Sequence, residues 1–326
     1  MIRALALLAC LAIGCDDPTV GAVANAAAPS PVATRDPLPS WNEGATKQAI
    51  EDFVDRVTRG TSSVPVEDRI AVFDNDGTLW PEQPIPVEIA FALDRIKVLH
   101  PDRDEHELLA GSGGGLDLVQ VLAATHVGMT TDEFARTVKQ WIATAREPRF
   151  KRPYTEVVYQ PMLELLAYLR ANGFTTYLVS GGETEFMRVW AERAYGIEPE
   201  HVIGSRVGLQ YQVRATGPVL VRLPRVDLVD DKAGKPVGIQ QAIGKRPIAA
   251  FGNSDGDFEM LEWTTSASGP RLGLLVHHTD AVREWAYDRD ARAGALSRAL
   301  VASKQRGWVV VDMQHDWRTI FPFESR

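Results

Sequence analysis

The sequence predicts an α/β fold built on a doubly wound parallel sheet, with a helical segment inserted after the first strand. Short apolar runs at Ile70–Phe73, Thr175–Val179 and Pro247–Phe251 each end in polar residues. Buried parallel strands have this pattern, because helices cover both faces of their sheet. Between the runs, apolar residues recur at the three- and four-residue spacing of helices. Strands that alternate with helices predict parallel βαβ units.

Composition limits the class of protein. The chain has 326 residues, of which 45% are hydrophobic, so it can bury a sizeable core. The formal net charge is −8, and Lys and Arg are not concentrated on one face, which argues against a nucleic-acid partner. We therefore expect the partner to be a small molecule.

The first 15 residues predict export. Arg3 precedes the apolar stretch Ala4–Ile13, which is too short for a permanent membrane-spanning helix and is typical of a secretory signal. Leu11–Cys15 resembles a bacterial lipoprotein box, which implies a periplasmic protein anchored to a membrane through a lipid on Cys15. Ordinary signal cleavage, with Cys15 incidental, is the alternative. Residues 16–40 are rich in Ala, Pro, Thr and Ser and predict a flexible tether.

The folded region begins near Trp41, and its first strand carries the strongest functional signal. Helical spacing over Ile50–Val57 precedes the strand, which continues into the segment Asp74–Thr78. Strand side chains alternate with period two, so Asp74 and Asp76 project to the same side at the end of the strand. Like charges held this close favour a cation or a proton between them.

The segment Asp74–Thr78, with the pattern Asp-x-Asp-Gly-Thr, resembles the first motif of the haloacid dehalogenase-like hydrolase superfamily, most of whose members are phosphatases. The resemblance implies a Rossmann-like core, formed here by residues 41–80 and 155–326. It also implies that residues 81–154 form an α-helical cap over the active site, similar to the cap of phosphoserine phosphatase-like members.

Apolar spacing within the expected cap predicts helices over Val87–Leu99, Leu116–Ala123 and Phe134–Ile142. Thr130 or Thr131 is placed to cap the third of these helices. A cap over the active site contacts the leaving group of the substrate, which is its alcohol part. The candidate contacts are Glu82, Arg146, Arg149, Lys151 and Arg152. A solvated hinge is the alternative for the basic run 149–152.

A second motif follows the next strand. Helical spacing around Met162–Leu169 precedes the strand, which begins at Thr175 and ends in Ser180, Gly181 and Gly182. A strand-end Ser followed by two glycines resembles the second motif of the superfamily. The Ser180 hydroxyl and the main-chain amides of Gly181 and Gly182 can donate hydrogen bonds to phosphoryl oxygens.

A third motif supplies a lysine. Residues 202–229 alternate in short apolar stretches and predict a hairpin. The segment Gly234–Pro236 then leads into a helix, as the third motif of the superfamily does. Lys235 is therefore the lysine expected to neutralise a phosphoryl group, and Lys232 is the alternate.

The fourth motif departs from the usual pattern. The segment Gly252–Asp257 follows a strand and resembles the motif that completes a magnesium site, with Asp257 at the later acidic position. Asn253 stands at the first acidic position, and Asp255 is an additional carboxylate between them. Because an amide lacks the charge of a carboxylate, we expect weaker Mg²⁺ binding that Asn253→Asp would tighten. A calcium-binding loop is the alternative, but this segment lacks the flanking helix and the terminal Glu of such loops.

Two further strands complete the expected core. The apolar runs Leu272–Val276 and Trp308–Val311 predict these strands. His277 and His278 end the first of them. We expect structural or surface roles for both histidines, because the implied mechanism already has its acid and base.

The resemblance implies a magnesium-dependent phosphomonoester hydrolase that forms an aspartyl-phosphate on Asp74. Asp76 would protonate the leaving alcohol and then deprotonate the attacking water. The expected ligands of Mg²⁺ are Asp74, the main-chain carbonyl of Asp76, Asn253 and, directly or through water, Asp257. The residues expected to hold phosphoryl oxygens are Thr78, Ser180 and Lys235.

Two alternatives remain open from the sequence. A lipoprotein with a decayed catalytic site could bind a metal or a phosphate ester without turnover, and Asn253 is the feature that favours this alternative. A phosphotransferase would use the same residues to pass the phosphoryl group to another alcohol. The expected substrate of the hydrolase is a small phosphorylated metabolite.

Overall fold

A seven-stranded sheet organises the part of the chain that the structure describes. The computed structural model describes residues 36–59, 63–99 and 126–325, together with positions 61 and 101. The strands are β1 Ile70–Phe73, β2 Thr175–Glu183, β3 Val202–Arg214, β4 Gly217–Leu228, β5 Ala249–Gly252, β6 Leu272–His277 and β7 Val309–Asp312. Their order across the sheet is β4-β3-β2-β1-β5-β6-β7.

Parallel pairing brings the ends of three motif-bearing strands together. Strand β1 pairs in parallel with β2 on one side and with β5 on the other. The pairs β2–β3, β5–β6 and β6–β7 are also parallel, and β3–β4 is antiparallel. The carboxyl ends of β1, β2 and β5 therefore lie side by side, where open α/β sheets bind their ligands.

Apolar residues cover both faces of the sheet. Ala71 and Phe73 of β1 belong to one buried apolar cluster, and Ile70 and Val72 belong to the other. This division follows from the two-residue alternation of strand side chains. Phe73 stacks on Phe251 of the neighbouring strand, with ring centroids 4.2 Å apart. The predicted α/β fold with a Rossmann-like, doubly wound sheet is confirmed.

The helices follow the predicted spacing where the structure describes them. The α-helices of the described residues are α1 Ala45–Thr58, α2 Val87–Leu99, α3 Thr131–Thr144, α4 Gln160–Ala171, α5 Thr184–Met187, α6 Ala191–Tyr195, α7 Gly234–Ile243, α8 Phe258–Thr265, α9 Arg298–Arg306 and α10 Met313–Asp316. The predicted helix over Leu116–Ala123 lies outside the described residues. Thr130 caps α3, because its hydroxyl accepts from the Glu133 amide while the Glu133 carboxylate accepts from the Thr130 amide.

The hairpin predicted over 202–229 is confirmed, and it also contacts the helical insert. Main-chain hydrogen bonds join Arg222 of β4 to Gly128 and Met129, just before α3. The Arg222 guanidinium lies 3.8 Å from the centroid of the Phe134 ring on α3. These contacts fix one helix of the insert against the sheet edge.

The predicted signal segment, with Cys15, lies outside the described residues, as do residues 16–35 of the predicted tether. Residues 36–40 of that tether are described, and two of them, Leu38 and Ser40, are buried against the fold. Leu38 is fully buried, and the Ser40 amide donates to the Glu164 carboxylate at 2.8 Å. Over the described residues, the structure contains no helix with the length and apolar character needed to cross a membrane.

Candidate active site

The ammonium of Lys235 links strand β2 to the segments that follow β1 and β5. Its Nζ lies 2.5 Å from Asp74 Oδ1, after β1, and 2.6 Å from Asp257 Oδ1, after β5. It also donates to the main-chain carbonyl of Val179 in β2 at 3.2 Å. An ammonium has three N–H groups, so these partners use all of them. The structure thus brings Lys235 to the strand ends, whereas Lys232 is exposed.

Both carboxylate oxygens of Asp257 are already bound. While Oδ1 faces Lys235, Oδ2 accepts from the main-chain amide of Asn253 at 3.0 Å and from that of Ser254 at 3.1 Å. These bonds fix the loop that carries Asn253. The geometry therefore suits Asp257 to supporting the expected metal site, and direct ligation would require it to give up one of these partners.

The carboxylate of Asp255 binds the start of a helix. It lies at the start of α9 and accepts hydrogen bonds from three consecutive main-chain amides, those of the N-cap residue and the first two residues of that helix. The donors are Ser297, Arg298 and Ala299, at 3.1, 3.0 and 2.8 Å. The first amides of a helix have no partner within the helix, so a carboxylate stabilises them. The additional acid between Asn253 and Asp257 is thus a helix cap in this structure.

A buried hydroxyl brings two candidate metal ligands together. Thr78 Oγ1 lies 3.0 Å from Asp74 Oδ2 and 3.2 Å from Asn253 Oδ1. Thr78 is fully buried. The carboxylate oxygen and the amide oxygen therefore lie close to the same point. The expectation that Thr78 holds a phosphoryl oxygen stays a prediction, since its hydroxyl already has partners inside the site.

Asp76 is held by an aromatic cluster. Its Oδ1 accepts from Trp80 Nε1 at 2.8 Å, and the Trp80 ring stacks on Trp190 at 4.3 Å between centroids. Burial raises the pKa of the Asp76 carboxyl above its ordinary value, although the bond from Trp80 acts in the opposite direction. A carboxyl with a raised pKa can hold a proton for donation to a leaving group.

Glu82 occupies a place in the site that the sequence did not indicate. It is buried, and its Oε1 accepts from Asn253 Nδ2 at 2.6 Å and from the Tyr287 hydroxyl at 2.8 Å. Burial raises the pKa of Glu82 well above its ordinary value, although the hydrogen bond from Tyr287 opposes that change. The sequence offered Glu82 only as a substrate contact from the cap, because nothing local connects positions 82, 253 and 287.

Two glycines leave room for these polar groups. Gly77 has a φ of 80°, and Gly294 has a φ of 73°, a region that L side chains rarely adopt. A Cβ at position 77 would lie 2.0 Å from Asn253 Nδ2, and a Cβ at position 294 would lie 1.8 Å from Glu82 Oε1. Any side chain at either position would displace the groups of the site.

His278 has the structural role that the sequence predicted for it. The residue is buried, its Nε2 lies 2.8 Å from the Gly77 carbonyl oxygen, and its Nδ1 lies 3.0 Å from Glu284 Oε2. The ring therefore supports the loop after β1. His277 is partly exposed and lies 3.8 Å from the Asp288 carboxylate.

The second motif forms a bulge within β2. The predicted loop is part of the strand, which continues to Glu183, and its register with β3 shifts between Ser180 and Glu183. The Gly182 amide donates to Ser180 Oγ at 3.1 Å, and the Gly181 carbonyl accepts from Ser205 Oγ at 2.7 Å. The amide of Gly182, expected to face a phosphoryl group, is therefore engaged inside the bulge.

Carboxyl groups outnumber cationic side chains around Asp74 among the described residues. Burial, together with the nearby charge of Asp257, raises the pKa of Asp74 to about 7, against the effect of Lys235. Burial disfavours the charged form of Lys235, but Asp257 and Asp74 outweigh burial, so the pKa of Lys235 is raised. Asp76 and Glu82 add further carboxyl groups close to Asp74. This excess of acid suits a divalent cation.

The donor set also fits a hard cation. Among the described residues, no three or more His, Cys, Asp or Glu side chains form a group that could hold a metal ion. The expected ligand set does not need such a group, because it includes the Asn253 amide and a main-chain carbonyl, both of which offer oxygen to Mg²⁺. Asp74 Oδ2 and Asn253 Oδ1 already converge on Thr78. The residues present therefore fit Mg²⁺.

Of the candidate substrate contacts, the structure brings Glu82 to the site and gives the basic ones other partners. Arg149 donates to the main-chain carbonyls of residues 281 and 282. Arg146 donates to main-chain carbonyls at the end of α3, and the Arg152 guanidinium lies 4.4 Å from the centroid of the Phe323 ring. Lys151 is exposed. The contact of these basic residues with a substrate, and the hinge alternative for residues 149–152, stay predictions.

The chain belongs to the haloacid dehalogenase-like hydrolase family. The family profile matches residues 71–262, more than half of the 326 residues. The match spans the four motif segments and includes Asp74, Lys235 and Asp257. A comparison with curated proteins gives no match.

Solved structures with a similar fold are distant in sequence. A protein of unknown function from Bordetella pertussis Tohama I is 17% identical, with a TM-score of 0.49 over 75% of this chain and 98% of that chain. A phosphoserine phosphohydrolase-like protein from Francisella tularensis subsp. tularensis SCHU S4 is 16% identical, with a TM-score of 0.37 over 64% and 87%. A probable phosphoserine phosphatase from Vibrio cholerae is 15% identical, with a TM-score of 0.39 over 74% and 68%.

Proposed function

We propose that this hydrolase removes phosphate from a small phosphorylated metabolite in a Mg²⁺-dependent reaction. The observation that carries the proposal is the fixation of the Asp74 carboxylate at both oxygens, Oδ1 by Lys235 and Oδ2 by Thr78. A carboxylate oriented in this way is suited to attack a phosphorus atom. Asp76, two residues further on, supplies a second titratable carboxyl at the same strand end.

The reaction would proceed in two steps. In the first, an Asp74 oxygen bonds to phosphorus, the bond from phosphorus to the alcohol oxygen breaks, and Asp76 gives its proton to that oxygen. In the second, Asp76 takes a proton from water, the water oxygen bonds to phosphorus, and the bond between phosphorus and Asp74 breaks. The products are the alcohol and inorganic phosphate, and both carboxyl groups return to their starting states.

Charge stabilisation would come from the surrounding groups. Lys235 holds a positive charge against Asp74 throughout both steps. Ser180 and Gly181 lie in the bulge of the adjacent strand β2, where they would contact phosphoryl oxygens. Bound Mg²⁺, held by Asp74, the Asp76 carbonyl and Asn253, would supply further neutralisation of the phosphoryl charge.

Purified full-length protein, assayed against a panel of phosphomonoesters with added Mg²⁺ and after chelation, tests this proposal. We expect phosphate release that chelation abolishes and that Mg²⁺ restores. An unchanged rate after chelation would refute the metal dependence. Binding of phosphate esters without turnover would favour the non-catalytic lipoprotein, and transfer of phosphate to an added alcohol in place of water would favour the phosphotransferase.

We further propose that the protein is exported to the periplasm and anchored there by a lipid on Cys15, with residues 81–154 acting as the cap. Fractionation of cells that produce the parent chain or Cys15→Ala tests the anchor. We expect the parent in the membrane fraction and the variant outside it. Equal membrane association of both chains would refute lipidation at Cys15.

A further inference from the structure

We propose that Glu82 is a positioning residue that orients the Asn253 amide and supplies, from behind it, the negative charge that this position lacks. The inference deepens the proposed function, on which it rests, because it concerns the same metal site. It arises from the one motif position where the chain departs from the superfamily pattern.

The two ends of the Asn253 amide have different partners. Nδ2 lies 2.6 Å from Glu82 Oε1, and Oδ1 lies 3.2 Å from Thr78 Oγ1. An amide nitrogen only donates and a carboxylate only accepts, so the bond to Glu82 determines which end faces the site. If the amide were turned over, its oxygen would face the Glu82 carboxylate. Glu82 therefore directs the oxygen of Asn253 toward Asp74.

Glu82 is itself held in place. The Tyr287 hydroxyl donates to the same Oε1 at 2.8 Å, and a Cβ at position 77 or 294 would lie within 2.4 Å of that oxygen. Glu82 is 5% exposed, and both of these hydrogen-bond partners are neutral. Neither partner carries a charge, and a cation one hydrogen bond beyond Glu82 would favour its ionised carboxylate over the protonated form that burial favours.

This arrangement changes the expectation drawn from the sequence. Although Asn253 has no charge, the Glu82 carboxylate directly behind it supplies one to the site. The carboxylate is therefore one hydrogen bond further from the expected cation than a carboxylate at position 253 would be. Asn253→Asp would place a second carboxylate against Glu82, at a position where the present atoms are 2.6 Å apart. Two carboxylates at that distance repel each other, so this substitution should not tighten metal binding.

Direct measurement of Mn²⁺ binding by electron paramagnetic resonance on the full-length protein tests the inference. Glu82→Gln keeps an oxygen for the amide but removes the charge, and we expect affinity to fall by about 10-fold or more. Asn253→Asp should bind no tighter than the parent. The double variant, Glu82→Gln with Asn253→Asp, should recover most of the Mn²⁺ affinity lost in Glu82→Gln. In it, the amide introduced at position 82 can donate to the carboxylate introduced at position 253. Glu156→Gln, an exposed glutamate on the surface, is the matched control and should bind like the parent.

Parent-like Mn²⁺ affinity in Glu82→Gln, or a double variant no stronger than Glu82→Gln, would overturn the inference. Should Glu82→Gln fail to fold, Asn253→Asp still decides, since tighter binding than the parent contradicts charge supply from Glu82. A parent that binds no Mn²⁺ overturns it as well. A parent that releases no phosphate, but whose Mn²⁺ affinity falls in Glu82→Gln as expected, would refute the proposed function and leave this inference standing.

Discussion

Asp74 and Asp257 are joined through a single ammonium, with Lys235 Nζ 2.5 Å from one carboxylate and 2.6 Å from the other. All three side chains are buried, and the strand ends that carry the two acids lie next to each other. Lys235 therefore has a structural duty besides its proposed part in catalysis, because without it two carboxylates would be left together in a buried site.

Lys235→Met should lower the free energy of unfolding by about 3–5 kcal/mol and abolish turnover, since it leaves buried charge without a partner. Urea denaturation at constant pH measures the change. Lys232→Met, on the exposed neighbouring lysine, should leave both stability and turnover close to those of the parent. A stable Lys235→Met protein would show that the two carboxylates do not depend on this ammonium.

Asp74→Asn should lose turnover and keep the fold. The amide is nearly isosteric with the carboxyl but is a poor nucleophile, and the bond between Lys235 and Asp257 remains to hold the strand ends together. Phosphate release and urea denaturation, with deamidation excluded by mass spectrometry, check the two parts separately. Substantial activity in the intact variant would remove Asp74 as the nucleophile.

Asp76→Asn should reduce turnover about 10²- to 10⁴-fold, the usual contribution of general acid–base catalysis. The loss should be smaller for a nitrophenyl phosphate than for an alkyl phosphate, because an acidic phenol leaves without needing a proton. The ratio of the two losses in kcat/KM, which reports the steps up to departure of the alcohol and not the later attack of water, separates proton donation from a general distortion of the site. Equal losses with both substrates would argue that Asp76 acts only through its packing against Trp80.

Asp230 should make stability depend on pH. It is fully buried, neither carboxylate oxygen has a hydrogen-bond partner among the described residues, and burial raises its pKa from 3.8 to about 7. Between these two values the folded protein binds more protons at this group than the unfolded chain does. The free energy of unfolding should therefore fall as pH rises from about 4 to about 7.

Asp230→Asn should reduce the fall in the free energy of unfolding as pH rises from about 4 to about 7. The two pKa values differ by about three pH units, and each unit corresponds to about 1.4 kcal/mol, so the difference between parent and variant changes by at most about 4 kcal/mol. Urea denaturation at a series of pH values measures it. Asp290→Asn, at an exposed position that is not among the charges acting on Asp230, serves as the control and should follow the parent curve. Parallel curves for Asp230→Asn and the parent would contradict the prediction.

The parts of the site that lie in local patterns could be predicted from the sequence. Asp74 and Asp76 follow a buried strand directly, and Asn253 follows another, so pattern and chain order placed them at one edge of the sheet. Lys235 stands at the start of a helix after a recognisable Gly-Lys-Pro segment. In each case a short stretch of chain carries the whole signal.

The parts that depend on distant contacts could not be predicted. Glu82 meets Asn253 and Tyr287 only because the insert and the region after β6 fold over the loop that follows β1. The capping role of Asp255 could not be predicted either, because the helix that it caps begins about forty residues later. The bulge in β2 likewise depends on the register with β3, which no local pattern in the sequence reports.

The close fit of Gly77 and Gly294 around Glu82 has a consequence for how related chains can diverge. A side chain at position 294 would occupy the space of the Glu82 carboxylate, so a relative that carries one there must have replaced the glutamate or moved it. A relative that replaces the glutamate, in turn, frees position 294 to vary and needs an acid at position 253 to restore the charge. Positions 82, 253 and 294 should therefore change together during evolution, and a sequence with Glu, Asn and Gly at these positions should signal the same arrangement without a structure.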